Sequence, residues 1–398
     1  MCVIITTEIE YDLLVITMKK AIIFLLTFTL CFLSAPFAFA EEAKKEEALE
    51  LSADSAILMC MDTGDIIYER NAYEHCSPAS VTKVMSILLV LEAIDNGKIA
   101  LTDEVSASEN AVSMGGSQIW LEVGETMTVD ELLKAVVVAS ANDACVALGE
   151  YVAGSYTGFI KMMNDRATEL GLENSNFENS TGLDDTVTSH YSCAYDIAVM
   201  AIEVMKHELI RDYTGIWLDY LRDGKTELNN TNKLVNTYNG ITGLKTGTTS
   251  NAGFCLCATA ERDGMNLVAV VLGSDTSDDR FIGATNLLDF GFANYNLITP
   301  EIDESKITDV KIRGGKEKSL KPSFNASEQI LVARGSGEIS YEYKINEEMT
   351  APISKNDNLG TIVVYSGEEV IKTIYLKSDK DIEKVSFSDV LKKMLNNI

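Results

Sequence analysis

Three short segments of the sequence carry the residue types best suited to catalysis. They are Ser80-Val81-Thr82-Lys83, Ser140-Ala141-Asn142 and Lys245-Thr246-Gly247. Together they supply serines, lysines and an asparagine, but no histidine that could serve as their base. A serine hydroxyl is a weak nucleophile at neutral pH and needs a base within hydrogen-bond reach. The combination therefore predicts a serine nucleophile that is activated by a lysine.

Lys83 is the candidate base because it follows Ser80 by three residues. Residues at this spacing share one face of a helix, and apolar residues continue at helical spacing as far as Ile94, before Gly97. We therefore expect a helix that begins at Ser80, with its positive dipole end near the nucleophile. An ammonium group cannot accept a proton, so the pKa of Lys83 must be lowered. Partial burial and the second cation, Lys245, would both lower it.

The elements that must position these segments can also be predicted. A capping box, Thr128-Val129-Asp130-Glu131, starts a helix that ends near Ser140, so the middle segment falls at a junction between helices. Strands are expected at both ends of this region, with helices between them, which predicts an α/β sandwich. The predicted strands are 54–61, 66–68, 245–249, 254–260 and 267–272, and a helix is expected over 280–293.

The order of the three segments resembles the signature of the penicillin-binding proteins and serine β-lactamases. The surrounding residues are most similar to the low-molecular-mass D-alanyl-D-alanine carboxypeptidases: Pro78-Ala79-Ser80-Val81-Thr82-Lys83, Gly115-Gly116-Ser117, Ala139-Ser140-Ala141-Asn142-Asp143-Ala144 and Gly243-Leu244-Lys245-Thr246-Gly247-Thr248-Thr249. This resemblance implies the α/β sandwich fold of that superfamily. It also implies a small C-terminal β domain, since Ala351-Pro352-Ile353 is similar to the second domain of the family.

The resemblance also implies roles for individual residues. Ser140 would relay a proton to the departing amine, and Asn142 would hold Lys83 and bind a substrate amide. The strand Lys245–Gly247 would bind the substrate as an added strand, with its glycine allowing close approach. The backbone N–H groups of the nucleophile and of Thr248 would form an oxyanion hole.

Arg280 completes the expected site, because the family carries an arginine there that pairs with the terminal carboxylate of the substrate. The implied reaction is attack of Ser80 on a D-Ala-D-Ala amide, release of D-alanine and hydrolysis of the acyl-enzyme. β-Lactams would be covalent inhibitors, and no cofactor is implied. One departure concerns the loop 179–184, where some members carry a histidine and this chain has Thr181. The group that orients the deacylating water is therefore left open.

Three other functions use related features. Endopeptidase or transpeptidase activity on cross-linked peptidoglycan would use the same residues with a different donor or acceptor. A class A β-lactamase needs a dedicated glutamate, and the nearest segment, Glu173-Asn174-Ser175-Asn176, lacks the leucine of the E-x-x-L-N loop. A non-catalytic peptidoglycan-binding protein would have no reason to keep both lysines and both motif serines.

The ends of the chain predict export and division into domains. Lys19 and Lys20 precede an apolar run that closes on Ala38-Phe39-Ala40, as in a cleaved signal peptide that starts at Met18. The expected division is an upstream extension and signal (1–40), a charged linker (41–53), a catalytic domain (54–298), a β-sandwich domain (299–381) and an amphipathic helix (382–398). This helix could anchor the exported enzyme to the outer face of the cytoplasmic membrane.

Composition excludes other classes of partner. The formal net charge of −27 argues against binding nucleic acid through bulk charge. The three histidines form no metal-binding motif, so no metal site is expected. Six cysteines follow the signal, mostly in apolar contexts, and we expect free thiols: Cys60, Cys76, Cys145, Cys193, Cys255 and Cys257.

Overall fold

The structure is a computed structural model that describes residue 49, residues 51–185 and residues 187–395. The predicted signal (1–40) lies outside the described residues, as does most of the predicted linker. The α-helices are α1 Lys83–Asp95, α2 Glu109–Val112, α3 Val129–Val138, α4 Asn142–Ala153, α5 Tyr156–Glu169, α6 Ala194–Met205, α7 Arg211–Thr214, α8 Leu234–Thr237, α9 Ser277–Asn294 and α10 Phe387–Leu395.

The strands of the first part are β1 Ser55–Cys60, β2 Ile66–Arg70, β3 Glu104–Ser106, β4 Thr126–Thr128, β5 Leu218–Leu221, β6 Thr226–Asn229, β7 Ile241–Thr249, β8 Gly253–Arg262 and β9 Met265–Ser274. Those of the C-terminal part are β10 Tyr295–Ile298, β11 Val310–Arg313, β12 Ser319–Leu320, β13 Ile330–Ala333, β14 Ile339–Ile345, β15 Glu348–Thr350, β16 Asn358–Ser366 and β17 Glu369–Lys377.

A five-stranded antiparallel sheet with the order β2-β1-β9-β8-β7 forms one layer of the sandwich. The N-terminal hairpin thus pairs with strands that come late in the chain, as expected from the strand pattern. Residues of β8 and β9 are buried along most of their length, because helices cover the sheet. Strand β7, which carries the third motif, is an edge strand, so one side of it is not paired within this sheet.

The helices between the strands pack around α1. Ten of its residues are buried, and its apolar side chains point in all directions, as is typical of a central helix. The predicted capping box is present: the side chain of Thr128 accepts from the backbone of Glu131, whose carboxylate accepts from the backbone of Thr128. Helix α3 therefore begins where expected, and the turn that follows it carries the middle motif.

The C-terminal part is built from short strands, as predicted. They form three small sheets, β10-β13, β12-β11-β15 and β14-β16-β17. Two separate apolar clusters stabilise them, one around Ile362 and one around Leu359. Alternate residues along β16 face opposite sides of its sheet, so a single strand contributes to both clusters.

The C-terminal helix is shorter than predicted. It begins at Phe387 rather than near Ile382, because Ile382 is buried and exchanges two backbone hydrogen bonds with Ile353 in the β region. Phe387, Leu391 and Leu395 are exposed, and residues 396–398 lie outside the described part. No described helix is long and apolar enough to cross a membrane.

Candidate active site

Ser80 lies in a turn of 3₁₀-helix, Ala79–Thr82, and the α-helix proper begins at Lys83. The prediction that Ser80 itself starts the α-helix is therefore wrong by three residues. The turn is tight because Ala79 has a φ of +47°, a left-handed conformation that side chains rarely adopt. The Ala79 carbonyl also packs so closely against Gly182 that no Cβ would fit there. Packing thus maintains the conformation of the nucleophile turn.

The Lys83 amine is positioned to activate Ser80. Its Nζ donates to Ser80 Oγ at 3.0 Å and to the backbone carbonyl of Thr181 at 2.9 Å. The side chain is completely buried, and this desolvation lowers the pKa of Lys83 to about 8, against an opposing effect of Cys145 and Asp143. Roughly a tenth of the amine is therefore neutral at pH 7, and a lysine base acts through this neutral form.

The middle motif places two buried polar atoms at the site. Ser140 has a φ of +62°, and within the described chain its Oγ has no hydrogen-bond partner. Asn142 begins α4 and donates through Nδ2 to the carbonyl of Gly115 at 2.6 Å, while its Oδ1 has no described partner. The expected contact between Asn142 and Lys83 is thus not formed. Buried polar atoms without partners are uncommon and often mark a functional site.

Lys245 of the third motif is buried beside the first two motifs. Its Nζ donates to the carbonyl of Thr246 at 3.1 Å, and the Thr246 hydroxyl donates to Thr231 Oγ1 at 2.7 Å. Burial, followed by the positive charges of Lys83 and Arg280, lowers the pKa of Lys245 well below its usual value. We expected Lys245 to lower the pKa of Lys83, but burial dominates there, and the effect of the second cation is seen on Lys245.

Gly247 packs against the nucleophile turn. A Cβ at this position would lie 2.8 Å from the carbonyl oxygen of Pro78 and 3.0 Å from the backbone nitrogen of Ser80. The expected reason for this glycine was close approach of the substrate peptide. The structure gives another: the glycine lets strand β7 lie against the turn, which brings the backbone of Thr248 next to that of Ser80.

Arg280 is located at the N-terminal end of α9, close to β7. Its Nη1 donates to the carbonyl of Gly247 at 3.0 Å, to Thr248 Oγ1 at 3.0 Å and to the carbonyl of Cys255 at 3.3 Å. Only 8% of the residue is exposed, and Nε has no described partner. Besides the carboxylate-binding role implied by the resemblance, Arg280 therefore holds the end of the edge strand.

Asp143 supports the site but was given no role from the sequence. It is fully buried, and its carboxylate accepts from the backbone N–H groups of Ile119 and Leu121 and from that of Ala144. These bonds attach the segment that follows Gly115-Gly116-Ser117 to the start of α4. The only sequence signal was an acidic residue directly after Asn142.

His190 is a second supporting residue that we considered only as a metal ligand. Its Nδ1 accepts from the backbone N–H of Glu178 at 3.1 Å, so Nε2 carries the proton and donates to Thr82 Oγ1 at 2.8 Å. Burial lowers the pKa of His190 to about 4 and keeps the ring neutral. The histidine thus ties the loop that carries Thr181 to the nucleophile turn.

Asp184 reinforces the same loop, since its carboxylate accepts from Ser77 Oγ at 3.3 Å and from Thr249 Oγ1. A cleft of about 500 Å³ lies beside this loop, and its lining includes Gly115, Thr181 and Leu183. The cleft is thus bordered by the loop and by the segment that follows α2.

Within the described ranges, no cluster of three or more histidine, cysteine or acidic residues could hold a metal ion. All six cysteines from Cys60 to Cys257 are free thiols. Burial raises the pKa of Cys193 to about 12 and that of Cys255 to about 11. These thiols therefore stay protonated at neutral pH and are poor nucleophiles.

Known proteins have similar sequences over most of this chain. A profile of the D-alanyl-D-alanine carboxypeptidase family matches residues 41–276, and one of the penicillin-binding protein 5 C-terminal domain matches residues 296–384. D-alanyl-D-alanine carboxypeptidase DacF of Bacillus subtilis is 41% identical over 386 residues, which cover 96% of this chain and 99% of that protein. DacC of Escherichia coli is 34% identical over 340 residues, which cover 83% of this chain and 84% of that protein.

Solved structures show the same relationship. Penicillin-binding protein 5 from Haemophilus influenzae superimposes with a TM-score of 0.77 at 29% identity, covering 84% of this chain and 98% of that one. Penicillin-binding protein D2 from Listeria monocytogenes, in its ampicillin-bound form, gives a TM-score of 0.56 at 31% identity, covering 61% and 99%. The chain therefore belongs to the D-alanyl-D-alanine carboxypeptidase family of serine peptidases and has the fold of the penicillin-binding proteins.

Proposed function

We propose that this enzyme removes the terminal D-alanine from peptidoglycan stem pentapeptides through an acyl-enzyme on Ser80. The observation that carries this proposal is the hydrogen bond of 3.0 Å between Lys83 Nζ and Ser80 Oγ, made by an amine whose burial lowers its pKa to about 8. A buried lysine next to a serine hydroxyl is a competent base without a histidine.

The reaction begins when neutral Lys83 takes the proton of the Ser80 hydroxyl. Oγ then attacks the carbonyl carbon of the penultimate D-alanine, and the negative oxygen that forms accepts hydrogen bonds from the N–H groups of Ser80 and Thr248. The proton passes through Ser140 to the nitrogen of the leaving D-alanine as the C–N bond breaks. The unpaired Oγ of Ser140 supports this role.

Substrate binding uses the edge strand and the arginine beside it. The stem peptide adds to β7 as a further strand, and the free oxygen of Asn142 accepts from one of its amide groups. The terminal carboxylate binds near Arg280, whose guanidinium already contacts Thr248. Water then attacks the acyl carbonyl and regenerates Ser80. The same serine would react with β-lactams, as the Listeria protein's ampicillin-bound form suggests by analogy.

We also propose that the enzyme is exported and acts outside the cytoplasmic membrane. The predicted signal at residues 1–40 supports this location, and Phe387, Leu391 and Leu395, which are exposed on α10, support peripheral anchoring. The proposed division into a catalytic domain (54–298) and a β domain (299–381) is supported by the separate apolar clusters. Strand β10 pairs with β13, which favours a boundary a few residues earlier, near residue 295. Sedimentation with anionic vesicles tests anchoring: Phe387→Asp should weaken binding of the full chain, and unchanged binding would exclude this helix as the anchor.

Free D-alanine release tests the reaction. The mature protein and its Ser80→Ala variant are incubated with a diacyl-L-Lys-D-Ala-D-Ala peptide, and both are treated separately with labelled penicillin. Steady release that is lost in the variant is expected. Stable penicillin labelling without release would instead indicate endopeptidase or transpeptidase activity on cross-linked peptidoglycan, and rapid loss of the label would indicate a β-lactamase. Absence of both labelling and release would favour a non-catalytic peptidoglycan-binding protein.

A further inference from the structure

Trp120 adopts a conformation that neither packing nor local preference explains. Its side chain is 74% exposed, so the indole gains little from burial. Its φ is +58°, in the left-handed region where a bulky residue is a genuine outlier. Such strain persists only where the surrounding structure enforces it, and it clusters at functional sites. A large aromatic ring held in solvent by a strained backbone indicates a recognition role.

Two charged side chains hold this backbone. Asp143 accepts from the N–H groups of Ile119 at 3.2 Å and Leu121 at 3.1 Å, on either side of the tryptophan. Arg222 donates to the carbonyl of Ile119 at 2.8 Å and to that of Trp120 at 3.5 Å. The segment is thus bound through its amide nitrogens and through its carbonyl oxygens, which keeps the ring exposed.

Arg222 also joins this segment to the β5–β6 hairpin. Its guanidinium forms a two-point contact with the Glu125 carboxylate, and Arg222 itself directly follows β5. Both joined segments expose large apolar side chains, which we call the aromatic rim: Trp120 74%, Val123 60%, Trp217 40%, Leu218 46% and Tyr220 47% exposed. Several exposed apolar side chains of this size on adjoining segments mark an interaction surface.

The aromatic rim borders the active site. The carbonyl of Ser117 accepts from the backbone of Asn142 at 2.7 Å. Trp120 lies three residues further along, which is at most about 11 Å of extended chain. On the other side, Thr231 follows the hairpin and bonds the Thr246 hydroxyl of the third motif. The rim therefore begins next to two of the three catalytic segments.

We propose that the aromatic rim binds the amino-sugar glycan to which the stem peptide is attached. This inference rests on the proposed function. Four residues of a stem pentapeptide separate the scissile bond from the sugar, and they span at most about 14 Å. This reach is longer than the at most about 11 Å of chain between Ser117 and Trp120, so a sugar on the stem peptide can reach the rim. The face of an aromatic ring carries partial negative charge and packs against C–H groups, such as those on the apolar face of a pyranose ring.

Charge disfavours a membrane as the occupant of this surface. Residues 120–125 and 217–227 carry five carboxylates and two cations, Arg222 and Lys225. Glu125 and Asp219 pair with Arg222 and Lys134, which leaves Glu122, Asp223 and Glu227 as the carboxylates without an ion pair among the described residues. An anionic lipid surface would be repelled by these carboxylates. Hydroxyl and acetamido groups of a glycan, in contrast, are suited to them as hydrogen-bond donors.

Kinetics on two matched substrates test the proposal. One is a free pentapeptide that ends in D-Ala-D-Ala, and the other is the same pentapeptide on an N-acetylglucosaminyl-N-acetylmuramyl disaccharide. We expect Trp120→Ala to raise KM for the glycopeptide about tenfold, the size of one lost ring-stacking contact. Its KM for the free peptide should stay within about twofold. Tyr375→Ala is the control, because it removes an aromatic residue of the C-terminal part that is 55% exposed. It should leave the KM for both substrates unchanged.

An equal rise in KM for both substrates would overturn the proposal, since Trp120 would then contact the peptide or maintain the conformation of its own loop. An unchanged KM for both substrates would also overturn it. So would a wild-type enzyme whose KM is no lower for the glycopeptide than for the free peptide. If Trp120→Ala does not fold, as judged by penicillin labelling, Trp217→Ala and Trp120→Gly provide the same comparison, because glycine tolerates the left-handed backbone. A wild-type enzyme that cleaves neither substrate would refute the proposed function itself.

Discussion

The pH dependence of acylation tests the role of Lys83 directly. Lys83 accepts the Ser80 proton only when its amine is neutral, and burial lowers its pKa to about 8. The rate should therefore rise with pH and level off above this value. At pH 7 the neutral fraction is roughly 9%, and each further unit of acid reduces it about tenfold. The second-order rate constant for labelling by penicillin should thus increase about tenfold between pH 7 and pH 9.

Stopped-flow or quenched labelling from pH 6 to 9.5 measures this profile. Protonation of His190 does not interfere, since its pKa lies near 4, and burial raises the pKa of the Cys145 thiol. Lys245→Arg is the control: a permanent cation there should leave the rising limb in place, with its midpoint at or below that of the wild type. A flat profile between pH 6 and 9 would refute Lys83 as the base. If the labelling rate of Lys245→Arg no longer rises with pH, the group that titrates is Lys245 rather than Lys83.

Three further substitutions test how the site is supported. Gly247→Ala places a Cβ 2.8 Å from a carbonyl oxygen of the nucleophile turn, so penicillin labelling should slow roughly tenfold to a hundredfold; Gly215→Ala, where the nearest atom would be 3.7 Å away, is the matched control. Lys83→Met removes a buried amine that is charged at pH 7, so the free energy of unfolding in denaturant should rise by up to about 3 kcal/mol, less the loss of its hydrogen bonds. That gain should be largest below pH 8 and mostly disappear by pH 10, because the pKa is about 8 when folded and 10.5 when unfolded; a gain that is independent of pH would contradict the burial argument. His190→Phe leaves a buried N–H and Thr82 without their partner, so stability at pH 7 should fall by about 1–3 kcal/mol. The wild type should lose stability as pH falls from 6.5 towards 4, because the folded-state pKa of His190 is lowered, and the Phe variant should lose less over this range because the imidazole is gone.

Much of the fold could be predicted because its signals are local. The capping box at Thr128, the helical spacing after Lys83 and the runs of strand residues depend on neighbours within a few positions. The starts of two helices, the one after Ser80 and α10, were predicted less accurately. A backbone bridge to Ile353 keeps Ile382 out of α10, and the 3₁₀ turn at Ser80 depends on its contacts with Gly182 and Gly247.

The supporting groups of the site could not be predicted, because each acts across a long stretch of sequence. His190 bonds Thr82, more than a hundred residues away, and Asp143 holds the backbone around Trp120. His190 belongs to no short motif, and Asp143, although it lies in the segment around the middle motif, has no catalytic role that its position would indicate. Their roles depend on which segments the tertiary structure brings together, and on burial that makes a neutral histidine and a fully hydrogen-bonded carboxylate favourable.

The sequence by itself determined the residue types of the catalytic groups, their order and the family that they indicate, because this chemistry needs particular side chains at particular spacings. Only the tertiary structure decided the pKa of Lys83 and the exposure of Trp120. It also decided which atoms of Ser140 and Asn142 have no hydrogen-bond partner among the described residues. These properties depend on desolvation and on contacts between distant segments. Both arise only when the chain has folded.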